Sequence, residues 1–227
     1  MTYSESLSLT PGGSNEVSFV VPDVAWPVQD IGIEISGQRA SGAWYLEGLW
    51  ISGQPHHTFP NHPDLGPGGN PIGWISDVDQ LHLRAFSSDD REMMRIGHNN
   101  GSGVMITGNR DWKDYTFETN MSIHLARSAG IIARYQGLQR HIMLVQTDGW
   151  LRLIERYHGD SVLAQIAVDH EPDTFHLLSL HCEGDQITAM YDGQRVLEGQ
   201  SNRLNSGGAG FLVEQGLVGF RDTTIKR

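Results

Sequence analysis

Alternating apolar and polar residues dominate the chain and predict strands. Across Trp112–Ile123 the alternation puts two sets of side chains on opposite sides: Tyr115, Phe117, Thr119 and Met121 against Thr116, Glu118, Asn120 and Ser122. A period of two residues is typical of a strand that buries one face. Ile131–Tyr135 and His141–Val145 are predicted as the next two strands. Arg134 is the one charge in an apolar run, so we expect its side chain to reach outward or into a solvated groove.

Short turn signals separate more strands downstream. Asp148-Gly149, Gly184-Asp185 and Asp192-Gly193 are typical of tight hairpins. The strands predicted around them are Trp150–Arg156, Ser161–Val168, Phe175–Glu183, Gln186–Tyr191, Gln194–Leu197, Gly207–Gln215 and Leu217–Ile225. No segment sustains a helical period. The pattern therefore predicts an all-β chain folded as an antiparallel β sandwich.

The first quarter of the chain has a similar pattern on a smaller scale. Four strand-like runs are visible there: Ser6–Thr10, Glu16–Val21, Asp30–Ser36 and Gly42–Ser52. We predict a partial jelly-roll-like β segment over residues 1–55. Residues 56–76 are rich in proline and glycine and are predicted to be a linker. Residues 77–227 are predicted to form the main sandwich, with a loop at His98–Gly103.

Four strands make only half a jelly roll, and both sides of this segment carry large apolar side chains. Trp44, Leu46 and Trp50 fall on one parity, and Leu49 and Ile51 on the other. Burying one such side chain stabilises a protein by about 1.5–3 kcal/mol, so we expect the segment to be covered. A homodimer is the first expectation. Docking on the chain's own sandwich and missing upstream sequence are the alternatives.

A longer motif runs through the middle of the chain. Gly108–Tyr115 reads G-x-R-D-W-x-D-Y, and His124–Arg140 reads H-L-A-x-x-A-G-I-x-A-R-x-Q-G-L-x-R. This stretch resembles the C-terminal β domain that follows the catalytic domain in bacterial proteins of the ADP-ribosylglycohydrolase family. More loosely, it resembles the laminin-G and concanavalin-like sandwiches attached to carbohydrate-active enzymes. The resemblance implies a concanavalin-like (laminin-G-like) sandwich or jelly roll that binds sugar. It does not imply glycohydrolase activity, because the acidic metal-binding motifs of that family are absent.

The net charge limits the expected classes of binding partner, and the cysteine content limits the expected covalent cross-links. The formal net charge is −11, and nucleic-acid or anionic-membrane binding needs clustered lysines and arginines, so neither partner is expected. The single cysteine, Cys182, excludes an internal disulfide and sits in an apolar strand, which favours a buried thiol. The first residues lack a basic start followed by an apolar run, so a cytoplasmic location is expected.

Aromatic and basic side chains recur on the central strands of this acidic chain. Sugar sites need flat rings for the C–H faces of the sugar and fixed donors for its hydroxyls. The predicted ligand-binding residues are Arg134, Tyr135, His141, Trp150, Arg152, Arg156 and Tyr157. The alternative is that Trp150 and Tyr157 pack in the core while the arginines pair with acidic neighbours.

A structural calcium ion is the only cofactor that the sequence suggests. Residues Trp44–Leu49 resemble a strand of carbohydrate-binding jelly rolls in which an acid at the place of Glu47 helps to hold calcium. Asp222, near the closing strand, is the second candidate ligand. A zinc site at His56, His57, His62 and Asp64 matches no standard spacing. The alternative for all of these side chains is ordinary solvation.

Catalytic motifs are absent from the sequence. It contains no G-x-S-x-G, no H-E-x-x-H and no phosphate-binding loop. Glu118, Glu155 and Glu214 are the carboxylates that an acid–base pair would draw on. The first hypothesis is therefore a non-catalytic carbohydrate- or glycoconjugate-binding accessory module. A hydrolase or lyase acting on a saccharide or an ADP-ribose-like substrate is the second, and a structural or oligomerisation domain is the third.

Overall fold

The computed structural model describes the second half of the chain almost continuously and the first half in shorter ranges. The described residues are 4, 6, 8, 12–21, 31–34, 43, 45–50, 52–66, 69–82, 93–147, 149–169 and 171–227. The chain divides into two units, Met1–Trp44 and Tyr45–Arg227. Over the described residues, no helix has the length and apolar character needed to cross a membrane.

Thirteen strands form the second unit within the described residues. They are β1 (His56–Thr58), β2 (Trp74–Ser76), β3 (Gln80–His82), β4 (Met94–Thr107), β5 (Tyr115–Ile123), β6 (Ser128–Gly137), β7 (Arg140–Thr147), β8 (Trp150–Tyr157), β9 (Asp160–Ala167), β10 (His176–Glu183), β11 (Gln186–Tyr191), β12 (Gln194–Gln200) and β13 (Gly208–Lys226). The predicted hairpins at Gly184-Asp185 and Asp192-Gly193 join β10 to β11 and β11 to β12, and β7 pairs with β8 from Thr147 and Trp150 onward, although Asp148 of the third predicted turn lies outside the described residues.

Every strand pair is antiparallel. The main path of the sheet runs β12-β11-β10-β5-β13-β6-β7-β8-β9, with β1 and β4 also on β13, and with β2 and β3 on β4. The two ends of this path face each other, because β12 contacts β8 and β9. The sheet is thus folded over into two layers, which confirms the predicted all-β antiparallel sandwich.

The last strand is shared by both layers. Its first part, to Glu214, pairs with β4 and β6, and its later part pairs with β5, β4 and β1. The two parts meet at Gln215 and Gly216, where φ is +46° and +149° and the register with β4 shifts. The sequence predicted two strands here. They are one strand with a bulge, and the bend lets it serve two layers.

The main core lies between the layers. Its largest fully buried apolar side chains come from β4, β5, β6, β7 and β13, and they include Ile96, Met105, Tyr115, Phe117, Met121, Ile131, Ile142, Leu144, Phe211 and Phe220. Phe211 lies at its centre, stacked on Phe220 at 4.1 Å and on Trp74 at 5.1 Å between ring centroids. Cys182 is buried in the same core, which confirms the expected buried thiol, and burial raises the pKa of this thiol to about 11.

The predicted linker at 56–76 is wrong at both of its ends. His56–Thr58 pairs with β13, Trp74–Ser76 pairs with β4, and Phe59 and Trp74 are buried in the core. Proline and glycine fill the turn between these short strands instead of excluding strands altogether. The partners of β1 and β2 lie far away in sequence, so no local pattern marks them. The loop predicted at His98–Gly103 lies within β4, as a bulge opposite Gln215.

The predicted strands of the N-terminal β segment are not formed where the structure describes them. Residues 6, 8, 16–21, 31–34, 43, 45–50 and 52 have no strand, whereas the rest of the predicted runs lies outside the described residues. Phe19, Ile31, Ile33 and Trp50 are exposed. An alternating pattern supplies an apolar face but no strand partner, and unpaired backbone in water gains little from extension. The homodimer stays a prediction.

Candidate functional site

The layer formed by β2, β4, β13, β6, β7, β8 and β9 has apolar side chains on both of its faces. Ile131, Leu144 and Phe211 point into the main core. Their neighbours on the opposite face, here called the outer face, form a second, smaller cluster of buried residues: Val104, Ile106, Ile132, Met143, Val145, Ile154 and Leu212. Because side chains alternate along a strand, the polar residues of the same parity share this outer face.

A bulge in β6 decides which of its side chains reach the outer face. The pairing of β6 with β7 shifts between Ala133 and Gly137, and Arg134 has φ of +50°. Ala133 and Arg134 consequently both point inward, and Tyr135 points outward to join the outer cluster. A regular strand would have given the opposite result, with Arg134 outside and Tyr135 inside.

Five of the seven predicted ligand-binding residues lie on the outer face. Tyr135 is on β6, His141 on β7, and Trp150, Arg152 and Arg156 on β8. The register places His141 opposite Arg156 and Val145 opposite Arg152. Their shared face agrees with a common site, and their role in binding a ligand stays a prediction.

Arg134 is a structural residue, so the prediction that it reaches outward and binds a ligand is wrong. Its side chain is 0% exposed. Nη1 donates to the carbonyl of Leu204 at 2.9 Å, and Nη2 donates to that of Gly184 at 2.6 Å. Asp114 lies 4.0 Å away and accepts the backbone N–H of Gly184. The guanidinium therefore ties β6 to two loops of the other layer.

Tyr115 completes this buried network. Its hydroxyl accepts the backbone N–H of Arg134 at 2.7 Å, and it lies 3.0 and 2.9 Å from the carbonyl oxygens of Gly207 and Gly208. Burial raises the pKa of the phenol well above its usual value, which keeps the hydroxyl proton in place as a donor. The bulge is thus fixed from the inside, and Tyr135 is held on the outer face as a result.

Tyr157 is partly buried and lies on the inward side of β8, away from the outer face. Its ring packs against the main core, and it lies beneath the guanidinium groups of Arg140 and Arg203 at 5.5 and 5.0 Å from the ring centroid. Arg203 also pairs with Glu155, which is buried beneath it. Tyr157 thus belongs to a half-buried cation–π arrangement on the other side of the layer from the outer face, and its role in binding a ligand stays a prediction.

A cleft of about 450 Å³ opens on the outer face. Strands supply most of its apolar lining and turns most of its polar lining, with Gln136 on β6 and Leu138 in the next turn as the exceptions. The lining residues are Ile75, Asp77, Val104, Ile106, Gly108, Asn109, Arg110, Tyr135, Gln136, Leu138 and Gly208. Gly208 gives the cleft a bare floor, because a Cβ there would come within 2.4 Å of the Thr107 carbonyl oxygen. Among these residues, the sequence analysis had singled out only Tyr135 for ligand binding.

The aromatic wall of the cleft is held by a histidine. Tyr135 stacks on His141 with ring centroids 5.7 Å apart and an interplanar angle of 28°. His141 Nδ1–H donates to the carbonyl of Gly137 at 3.2 Å, which orients the imidazole. Burial, and next the charge of Asp77, raise the pKa of Tyr135. Burial lowers the pKa of His141 to about 4, so the stacked pair is uncharged at neutral pH.

The perturbed histidine makes stability depend on pH. His141 titrates near 6.5 when unfolded and near 4 when folded, so between these values the unfolded chain binds a proton that the folded chain does not. Stability from this group is present above about pH 6.5 and is lost as pH falls towards 4, by on the order of 3 kcal/mol. Urea unfolding of wild type and His141→Gln across this range measures it. We expect a shallower slope in the variant, and equal slopes contradict the assignment.

The two arginines of β8 on the outer face differ in their partners. Arg156 makes a bidentate pair with Asp160, with Nε–Oδ1 at 2.6 Å and Nη2–Oδ2 at 2.8 Å. This hydrogen bonding lowers the pKa of the Asp160 carboxyl. Arg152 is half-buried and makes no hydrogen bond or ion pair with any described residue, and its Nε is buried without an acceptor.

Glu47 and Asp222, the two predicted calcium ligands, each lie outside any cluster of metal-ligating side chains among the described residues. Asp222 has φ of +53°, and its carboxylate accepts amide N–H groups from Asn61 and Asn120 at 3.3 and 3.2 Å. Glu47 is exposed. No group of three or more histidine, cysteine, aspartate or glutamate side chains in the described part of the chain is arranged to hold a metal ion, and this includes His56, His57, His62 and Asp64. Asp222 instead fastens the loop after β1 to β13.

The three carboxylates considered for catalysis are also dispersed. Glu155 points inward and is held by Ser201 and Arg203. Glu214 points outward on the other side of that layer, where it accepts a hydrogen bond from Ser128 and pairs with Arg127. Glu118 lies on the outward side of β5, in the second layer. These positions provide no acid–base pair across a common cleft.

Solved structures share the β-sandwich fold of this chain. Carbohydrate-binding module CBM66 from Bacillus subtilis superposes with a TM-score of 0.59 and 15% identity, over 68% of this chain and 96% of that one. The exoplasmic/lumenal domain of VIP36 in its Ca²⁺/Man-bound form gives 0.53 and 12%, over 75% and 91%. The alginate lyase AlgAT5 of polysaccharide lyase family 7 gives 0.52 and 12%, over 67% and 84%.

No protein-family model and no curated protein matches the chain. At the identities above, the solved structures establish the fold alone. The resemblance to the domain attached to ADP-ribosylglycohydrolases stays a prediction.

Proposed function

We propose that this protein is a non-catalytic carbohydrate- or glycoconjugate-binding module whose site is the cleft on the outer face. The observation that carries the proposal is the composition of that cleft. One aromatic ring, that of Tyr135, lines the cleft together with apolar side chains and four polar ones: Asp77, Asn109, Arg110 and Gln136. Sugars present C–H faces to aromatic rings and hydroxyls to fixed polar groups, so this combination suits them.

The cleft is also held ready for a ligand. Tyr135 is stacked on an oriented imidazole, and the Nε2 amide group of Gln136 donates to the carbonyl of Ser206 at 2.9 Å. The Asn109 side chain accepts the backbone N–H of Asp111 at 2.8 Å, which stabilises the turn that carries Arg110. Groups fixed before binding lose little conformational entropy when a ligand arrives. The printed names of two similar structures, a carbohydrate-binding module and a mannose-bound lumenal domain, also support sugar as the ligand class.

Replacing the ring tests the proposal. A glycan array followed by calorimetry identifies a ligand for wild type, and Tyr135→Ala is then expected to weaken its binding about 30-fold, which corresponds to about 2 kcal/mol for a central aromatic contact. Tyr135→Phe keeps the ring and is expected to retain most of the affinity. Tyr45→Ala, at an exposed tyrosine that does not line the cleft, is the matched control and is expected to bind like wild type.

Two results would count against the proposal. One is the absence of any saccharide that binds wild type on the array or in calorimetry. The other is a Tyr135→Ala protein that keeps its melting temperature and its full affinity, because the ligand would then contact another surface. Release of product from the bound saccharide during these assays would replace a binding module with an enzyme.

A further inference from the structure

The Arg152 guanidinium is the one half-buried cation of the outer face that lacks a partner among the described residues. Its Nε is inaccessible to solvent and has no acceptor, and none of its nitrogens makes a hydrogen bond or ion pair with described residues. A charge removed from water without an opposite charge or a hydrogen-bond acceptor is unfavourable. Among the described residues nothing satisfies the buried Nε–H, so an acceptor that arrives with a ligand can do so.

The other arginines of the described chain that are at least partly buried are all engaged. Arg134 donates to two carbonyls, Arg156 pairs with Asp160, and Arg221 lies over the Phe175 ring at 3.9 Å. Arg95 also interacts with the protein. The Nε atoms of Arg95, Arg134 and Arg221 are also buried without an acceptor, but each of these side chains has another contact, whereas Arg152 has none with the described residues.

The neighbours of Arg152 on the outer face cannot neutralise it. Val145 lies directly opposite on β7 and Gln165 directly opposite on β9, and neither carries a charge. Beyond Val145 the next position is Gly130, which has no side chain. Two carboxylates that share this face are already used, since Asp160 binds Arg156 and Glu214 binds Ser128 and Arg127, and Asp77 in the cleft makes no ion pair with Arg152.

Trp150 supplies a second binding feature next to this cation. It precedes Arg152 by two residues on β8, so its side chain projects from the same face, and it is 37% exposed. A ring with a guanidinium beside it can contact the C–H face of a sugar and the anionic group attached to that sugar. A neutral sugar would leave the guanidinium without an opposite charge.

We infer that Arg152 is an anion-recognition residue and that the ligand of the outer face is an acidic saccharide, one that carries a carboxylate or sulfate group. The saccharide part of this inference rests on the proposed function, whereas the anion site does not. The formal net charge of −11 repels densely charged anionic polymers at long range. This favours a ligand with isolated anionic groups that meet Arg152 at close range.

The test compares three short oligosaccharides of equal length: an oligogalacturonate, an O-sulfated galacto-oligosaccharide and the neutral galacto-oligosaccharide. Calorimetry with wild type is expected to show tighter binding of at least one acidic ligand. Arg152→Gln is expected to weaken that binding tenfold to about a hundredfold, as for a hydrogen-bonded charge, and to leave neutral binding unchanged. Arg195→Gln, at an exposed arginine that pairs with Glu198 on β12, is the matched control.

A spectroscopic readout separates the two proposals. The Nε–H signal of Arg152, assigned by its loss in Arg152→Gln, is followed by NMR during the same titrations and during addition of sodium sulfate alone. We expect it to move with the acidic ligands and with sulfate. No movement with any of these anions, or equal affinity of both proteins for acidic ligands, overturns the inference while a Tyr135-dependent neutral ligand keeps the proposed function. Movement with sulfate but no binding of any saccharide keeps the anion site and removes the proposed function.

Discussion

Arg134→Met is expected to destabilise the protein by about 3 kcal/mol although methionine fills much of the same space. The substitution leaves the carbonyls of Leu204 and Gly184 without their donors, and an unpaired buried acceptor costs about 1–3 kcal/mol. It also removes the positive charge 4.0 Å from Asp114. The backbone at position 134, with φ of +50°, is not expected to change, because arginine and methionine are equally disfavoured in that conformation. Urea unfolding followed by tryptophan fluorescence measures the change.

Arg156→Met is the matched control for this prediction. Arg156 pairs with Asp160 near the surface, where its side chain is 24% exposed, and ion pairs of this kind contribute about 0–1 kcal/mol. We expect the control to unfold within about 1 kcal/mol of wild type. An Arg134→Met protein that matches the control would show that the buried guanidinium contributes nothing beyond its volume.

Trp112→Ala is expected to lower the free energy of unfolding as much as Arg134→Met does, or more. The ring is 6% exposed, lies edge-on to Tyr115 at 6.1 Å and covers Gly108, where a Cβ would come within 2.3 Å of it. Truncating a buried tryptophan to alanine typically costs about 3–5 kcal/mol, because the cavity closes only in part. Denaturant unfolding and the melting temperature both report the effect.

The exposed Trp50 offers the comparison for this truncation. Its ring is 85% exposed, so Trp50→Ala removes little buried surface and is expected to change stability by no more than about 0.5 kcal/mol. If Trp112→Ala and Trp50→Ala melt at the same temperature, Trp112 does not anchor the core. Trp112→Phe, which keeps part of the ring, is expected to fall between wild type and the alanine variant.

Local signals predicted the fold where hydrogen bonds join neighbours in sequence. The strand Tyr115–Ile123 follows from its alternation, and the hairpins at Gly184-Asp185 and Asp192-Gly193 follow from their turn residues. Those signals do not reach the pairing of His56–Thr58 with β13, because the partner lies at the other end of the chain. The proline-rich composition around β1 therefore suggested a linker.

The site was predictable in part for the same reason. Strand parity grouped Trp150, Arg152 and Arg156, since β8 pairs regularly with β7 along its whole length. The regular alternation of inward and outward side chains is broken in β6. There the bulge at Arg134 exchanges the inner and outer positions of Arg134 and Tyr135. The cleft itself joins Asp77, Asn109 and Gln136 from three separate segments, and nothing in their local sequence indicates that they meet.

The shared strand β13 also bears on the order in which the protein is made. Four strands, β1, β4, β5 and β6, take hydrogen bonds from it, and all of them leave the ribosome before it does. Neither layer has its central strand until synthesis reaches Gly208–Lys226. Contacts between distant parts of a chain form slowly, and a chain that waits for them exposes apolar surface in the meantime. During most of its synthesis the nascent chain can therefore form hairpins but lacks the central strand that joins them. This is the interval in which a chaperone has the most apolar surface to cover.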